Sequence, residues 1–160
     1  LQVHSLQHGI RVIEFQTPHY ERLIVMFAQK VLTQNHWDTD RAMDLINTEP
    51  YRLPEPQLLI EEDGYLEERI VDFPDFSSER IRMDENISRK FQCEGRYHLI
   101  ICVKGKLRLE SQSGSSLELL PEEALFLPAS TSFYRVTNSG ADSMIFIRAV
   151  PVKAHSAKLD

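Results

Sequence analysis

The chain has 160 residues, 42% of them apolar, enough for one domain with a real core and part of a second. Its formal charge of −6 leaves no basic stripe to neutralise phosphates, which excludes nucleic acid and anionic membrane as partners. No apolar run is long enough to span a bilayer, and only two cysteines are present, Cys93 and Cys102, so reduced thiols and a cytoplasmic location are expected.

The chain opens on Leu1 in sequence that already reads as strand rather than as a targeting segment, which predicts that these residues belong to a domain lying mostly upstream. Residues 10–15 (Ile-Arg-Val-Ile-Glu-Phe) predict a strand that stops before Thr17-Pro18. Tyr20, Leu23, Ile24, Phe27 and Val31 then fall at helical spacing, although Ile24-Val25 leave a strand open. Asp38 is placed to cap a further helix with Ala42, Leu45 and Ile46 as its apolar stripe. Residues 47–57 hold three prolines and little to pack, and read as a linker. The expected organisation is the last strand of an upstream barrel (1–18), a helical connection and linker (19–56), a β domain (57–152) and a polar tail (153–160).

Beyond Pro56 strand candidates recur at 58–60, 68–73, 78–83, 97–103, 106–110, 116–120, 124–127, 133–136 and 144–149. Turn signals separate them at Asp63-Gly64, Pro74-Asp75, Asp84-Glu85-Asn86, Gly114 and Asn138-Ser139-Gly140. Strands at that frequency with no helices between them predict a mainly β domain, an antiparallel sandwich or jelly roll. Its expected centre is 97–109, a buried strand, a tight turn at Lys104-Gly105 and a half-buried partner, together a hairpin.

Residues 92–105 and 122–138 resemble, in spacing, the two metal-binding motifs of small cupin-type barrels, and the likeness extends over roughly 58–150. Aligned on Gly105 and Pro128, the four ligand slots hold Gln92, Glu94, His98 and Phe133. A divalent site needs three or four convergent donors, phenylalanine supplies none, and only one imidazole is present. The expected outcome is a metal-free barrel with a polar mouth, in which His98 is a hydrogen-bonded strand residue. A metal-dependent oxygenase built on Gln92, Glu94 and His98 is the weaker alternative.

His4, Gly9, Glu14, Gln16, Tyr20 and Arg22 stand in the order found in type I mannose-6-phosphate isomerases, zinc enzymes built from two cupin-like domains. Asp38 to Ile46 resembles the short helix that follows the site in that family, and Tyr97-His98-Leu99 with Leu127-Pro128-Ala129 resembles its C-terminal barrel. This chain departs from the pattern at Thr17-Pro18-His19, about two residues shorter than the family's segment there, and in placing Glu21 between Tyr20 and Arg22.

The resemblance implies a cytoplasmic sugar-phosphate isomerase that interconverts mannose 6-phosphate and fructose 6-phosphate. Zinc would polarise the sugar's oxygens, with His4 as the last protein ligand and the others in an upstream catalytic domain of the same protein. Arg22 would stabilise the developing oxyanion, and Glu14 would orient a hydroxyl or pass a proton. The plain reading of Glu14 is an ion pair with Arg11 or Arg22. Alone, the piece is expected to be inactive. The rival reading is a non-enzymatic, carbohydrate-sensing regulatory domain.

Overall fold

The computed structural model describes residues 8–16, 23, 38–49, 52 and 54–152. The chain divides into two compact units, Leu1–Leu53 and Pro54–Asp160. In the first, His8-Gly9 form a turn with Gly9 at φ +85°, and residues 10–16 belong to no strand. That corrects the strand expected at 10–15. Alternating β-branched residues make a strand only when a ladder partner receives their backbone groups; none does so among the described residues, and Ile10, Val12 and Ile13 are exposed. Helix α1 (Thr39–Leu45) forms as expected, but the Asp38 side chain does not cap it; the Asp38 carbonyl accepts from the Ala42 amide at 2.8 Å. Only Ala42 of the expected stripe is buried, and Leu45 is exposed. The helix expected from Tyr20 and the tail at 153–160 lie outside the described residues. Among those described, no helix is long and apolar enough to cross a membrane.

The second unit is ten antiparallel strands: β1 (Gln57–Glu62), β2 (Tyr65–Asp72), β3 (Phe76–Met83), β4 (Ser88–Gln92), β5 (His98–Lys104), β6 (Leu107–Ser111), β7 (Ser116–Leu119), β8 (Ala124–Leu127), β9 (Phe133–Asn138) and β10 (Met144–Pro151). They form a six-stranded sheet in the order β1-β2-β3-β10-β5-β8 and a four-stranded sheet in the order β4-β9-β6-β7. Side chains alternate across a strand, so every second residue faces the opposing sheet. Ile81, Met83, Ile100, Cys102, Leu107, Leu109, Tyr134, Val136, Met144 and Phe146 fill that interior, each 2% exposed or less. Cys93 and Cys102 are separate buried thiols, and burial pushes both above the ordinary thiol range.

The expected hairpin at 97–109 is not one. β5 pairs with β10 and β8, whereas β6 pairs with β7 and β9, so Lys104-Gly105 is a corner at which the chain leaves one sheet for the other. Gly105 sits at φ +81°, and a Cβ there would lie 2.9 Å from the Met144 Cα. Only glycine lets the two backbones pass that closely in that conformation. Both strands keep their apolar parity across the corner because both inner faces serve the same core. Strand β4, absent from the expected set, lies against β9 with Phe91 as its one buried residue.

Candidate functional site

Moving along β10 from its start, the interior changes character one rung at a time. Met144 pairs with Met83, Phe146 lies between Ile81 and Cys102, and Arg148 lies between Glu79 and Ile100. Arg148 is thus a guanidinium in an apolar register position, its side chain only 14% exposed. Its Nη2 donates to Glu67 Oε1 at 2.8 Å, and its Nε lies 3.5 Å from Glu79 Oε2. The guanidinium carbon sits 4.7 Å from the centre of the Phe91 ring. The other oxygens of the two carboxylates are also engaged: Tyr65 donates to Glu67 Oε2 at 2.5 Å and Ser77 to Glu79 Oε1 at 3.0 Å. Arg69 Nε approaches the same Glu79 oxygen at 3.6 Å. Burial opposes the charge on Arg148, but Tyr134, Glu79 and Glu67 outweigh it and hold the guanidinium charged.

His98, on β5, is 1% exposed. Its Nδ1 is 2.9 Å from the Tyr134 hydroxyl. Tyr134 donates to Nδ1 in one tautomer of the ring and accepts from it in the other. Burial, with Arg148 and Arg96 nearby, lowers the His98 pKa to about 4, so the imidazole is neutral near pH 7. Burial and the neighbouring carboxylate carry the Tyr65 hydroxyl well above its ordinary range.

Tyr65, Glu67, Arg69, Glu79, His98 and Arg148 line a cleft of about 400 Å³, together with Gln92 at the end of β4 and Glu94 and Arg96 in the turn that follows it. The sequence pointed to three of these residues. The alignment slots Gln92, Glu94 and His98 do come together on the cleft, whereas Phe133 faces Gln92 across the ladder under the Lys90 ammonium, 3.7 Å from its ring centre. The set does not fit a metal. Glu94 is held at φ +53° and paired to Arg96 at 3.1 Å, His98 gives Nδ1 to Tyr134, and a buried guanidinium stands nearby. Among the described residues no three His, Cys, Asp or Glu side chains are arranged to hold a cation.

Glu67, Glu79 and Arg148 were not picked out from the sequence, although a signal was there. Each charge sits at the parity of buried apolar neighbours: Glu67 with Tyr65, Glu79 with Ile81 and Met83, and Arg148 with Met144 and Phe146. Of the residues placed at the isomerase site, Glu14 is exposed in a segment without regular structure, and His4 and Arg22 lie outside the described residues.

No protein-family model matches the sequence, and no curated protein matches it. Solved structures do. KdgF from Halomonas sp. superposes with a TM-score of 0.52 at 19% identity, over 61% of this chain and 87% of that one. The polyketide cyclase RemF from Streptomyces resistomycificus gives 0.53 at 17% identity, over 66% and 80%. The cupin domain of Cnp3 from Schizosaccharomyces pombe gives 0.52 at 12% identity, over 65% and 69%. Likeness at these identities is likeness of fold. With the observed strand order, it shows that residues 57–151 have the cupin fold, an antiparallel jelly roll.

Proposed function

We propose that this chain is the C-terminal part of a zinc-dependent sugar-phosphate isomerase acting between mannose 6-phosphate and fructose 6-phosphate, and that its jelly roll is not the catalytic centre. The observation that carries the reading is the prior commitment of the jelly roll's donors. Glu67 is bonded by Arg148 and Tyr65, Glu79 stands against Arg148 and Arg69, Glu94 pairs with Arg96, and the one imidazole is tied through Nδ1 to Tyr134, so each candidate ligand already faces a cation or a fixed partner. Lewis-acid chemistry then belongs with the other motif-bearing stretch, where His4, Glu14, Gln16, Tyr20 and Arg22 follow the order of mannose-6-phosphate isomerases.

In this reading His4 is one zinc ligand, and an upstream domain of the same protein supplies the others. Bound zinc supplies polarisation of the sugar's carbonyl and hydroxyl oxygens. Arg22 brings a permanently charged, fork-shaped donor to the developing oxyanion. Glu14, a carboxylate exposed in the isolated chain, orients a substrate hydroxyl or passes a proton. Arg22→Gln in the longer protein should lower kcat by roughly 100-fold, the scale of one lost oxyanion donor. Unchanged turnover in a coupled assay would remove Arg22 from the site.

The polar cleft favours a second reading, a non-enzymatic carbohydrate-sensing domain. The two part on one result: zinc-dependent turnover by the longer protein supports the isomerase, and its absence beside a regulatory output domain upstream supports the sensor.

A further inference from the structure

Five residues lining the cleft carry buried side-chain atoms with no hydrogen-bond partner among the described residues: Arg69 Nε, Arg96 Nε, Arg148 Nε, His98 Nε2 and Glu79 Oε2. Ion pairs at 3.5 and 3.6 Å do not satisfy them, because hydrogen bonds of this type close at about 2.7–3.2 Å. Each buried polar atom left without a partner costs about 1–3 kcal/mol. Several around one cleft point to a ligand rather than to packing.

Their chemistry is lopsided. The three guanidinium nitrogens can only donate and His98 Nε2 serves either way with its tautomer, so three obligate donors face a single obligate acceptor, Glu79 Oε2. A ligand that answers this set is rich in oxygen acceptors and carries at least one hydroxyl to give to Glu79. Arginine matches oxyanions best, through its planar array of donors. Ser77 and Gln92 add adaptable hydrogen-bonding partners, and Ile60 and Val150 bring apolar surface. At about 400 Å³ the cleft suits a molecule of monosaccharide size.

We infer that the jelly-roll cleft binds a monosaccharide-sized hydroxylated anion, with its oxyanion toward Arg96 and His98 and a hydroxyl on Glu79. This is a binding site apart from His4, Glu14 and Arg22, and it holds whether or not the protein is an isomerase, since binding here is read without turnover. The oxyanion can be a phosphate or a carboxylate, and the probes separate them.

Calorimetric titration of the 160-residue chain with mannose 6-phosphate, glucuronate, inorganic phosphate and mannose tests the inference. The phosphorylated sugar, the sugar acid or both should saturate one site, and whichever binds more tightly identifies the oxyanion. Inorganic phosphate and mannose should bind at least ten-fold more weakly. Arg96→Gln should weaken the preferred anion at least ten-fold, and Arg108→Gln, exposed on β6 and not among the cleft's lining residues, should leave it unchanged. Should Arg96→Gln disturb its turn, the His98 imidazole signals of the unaltered chain should still move on binding. Failure of both sugar anions to saturate overturns the inference, as does binding with no movement at His98. Equal affinity for mannose removes the anion from it, and equal affinity for phosphate removes the hydroxylated frame.

Discussion

Enclosing Arg148 between Glu67 and Glu79 takes three charges out of water together, at several kcal/mol per ion, and only their mutual pairing offsets that cost. Removing one partner is therefore worse than removing all of them. Arg148→Met should destabilise the chain by about 3–5 kcal/mol, because Glu67 stays buried without a counter-charge and Glu79 keeps only Arg69, at 3.6 Å. Adding Glu67→Gln and Glu79→Gln to it should recover most of that loss in urea unfolding. A triple variant no more stable than Arg148→Met would show that the network is not held by charge pairing.

His98 makes the same environment visible in pH. Its protonated form is disfavoured in the folded chain, with a pKa of about 4, and not in the unfolded chain, where the ordinary value is 6.5. As pH falls between those values the unfolded state takes up the proton first, so the contribution is whole above about 6.5 and is lost toward 4. The urea midpoint should fall between pH 7.5 and pH 5, and His98→Gln should flatten that part of the profile. A wild-type profile as flat as the variant's would contradict the placement of His98.

At the scale of elements, the corner at Gly105 and the turn at Gly114 form a matched pair. Both glycines have positive φ, +81° and +84°, but a Cβ at Gly114 meets nothing, while one at Gly105 meets the Met144 backbone. Gly114→Ala should cost about 1–2 kcal/mol for the left-handed conformation alone. Gly105→Ala adds a backbone clash and should cost measurably more in the same unfolding assay. Equal costs would mean that the strand-to-strand approach is not tight.

The same corner marks where the sequence stops being legible. Alternating residues such as Leu107 and Leu109 announce strands, and Asp63-Gly64 and Gly114 announce turns, because both signals are local. Which strand pairs with which is not local, and a glycine between two apolar strands reads equally as a hairpin or as a change of sheet. Strand β4 was hidden for a related reason: of Ser88 to Gln92 only Phe91 is buried, stacked on Tyr134 at 5.3 Å, and a single inward residue makes no pattern. The site was half legible. Gln92, Glu94 and His98 could be found by spacing, whereas the Glu67–Arg148–Glu79 network needed the idea that a charge may occupy a core register.

For the whole molecule, both sheets are made of strands from Gln57 onward, all within the second unit. A chain beginning at Pro54 should therefore unfold cooperatively, with a urea midpoint close to that of all 160 residues. Loss of cooperative unfolding would assign residues 1–53 a part in the fold. A jelly roll whose cleft carboxylates stand against guanidinium groups and whose described residues hold no metal-type cluster suits, in the proposed reading, a domain that binds beside the chemistry rather than performing it. That division of labour is the central claim, and turnover tests it most directly. Supplied with zinc and mannose 6-phosphate, the 160-residue chain should form no fructose 6-phosphate, whereas the longer protein with its upstream domain should form it. Isomerase turnover by the 160-residue chain alone would contradict the account.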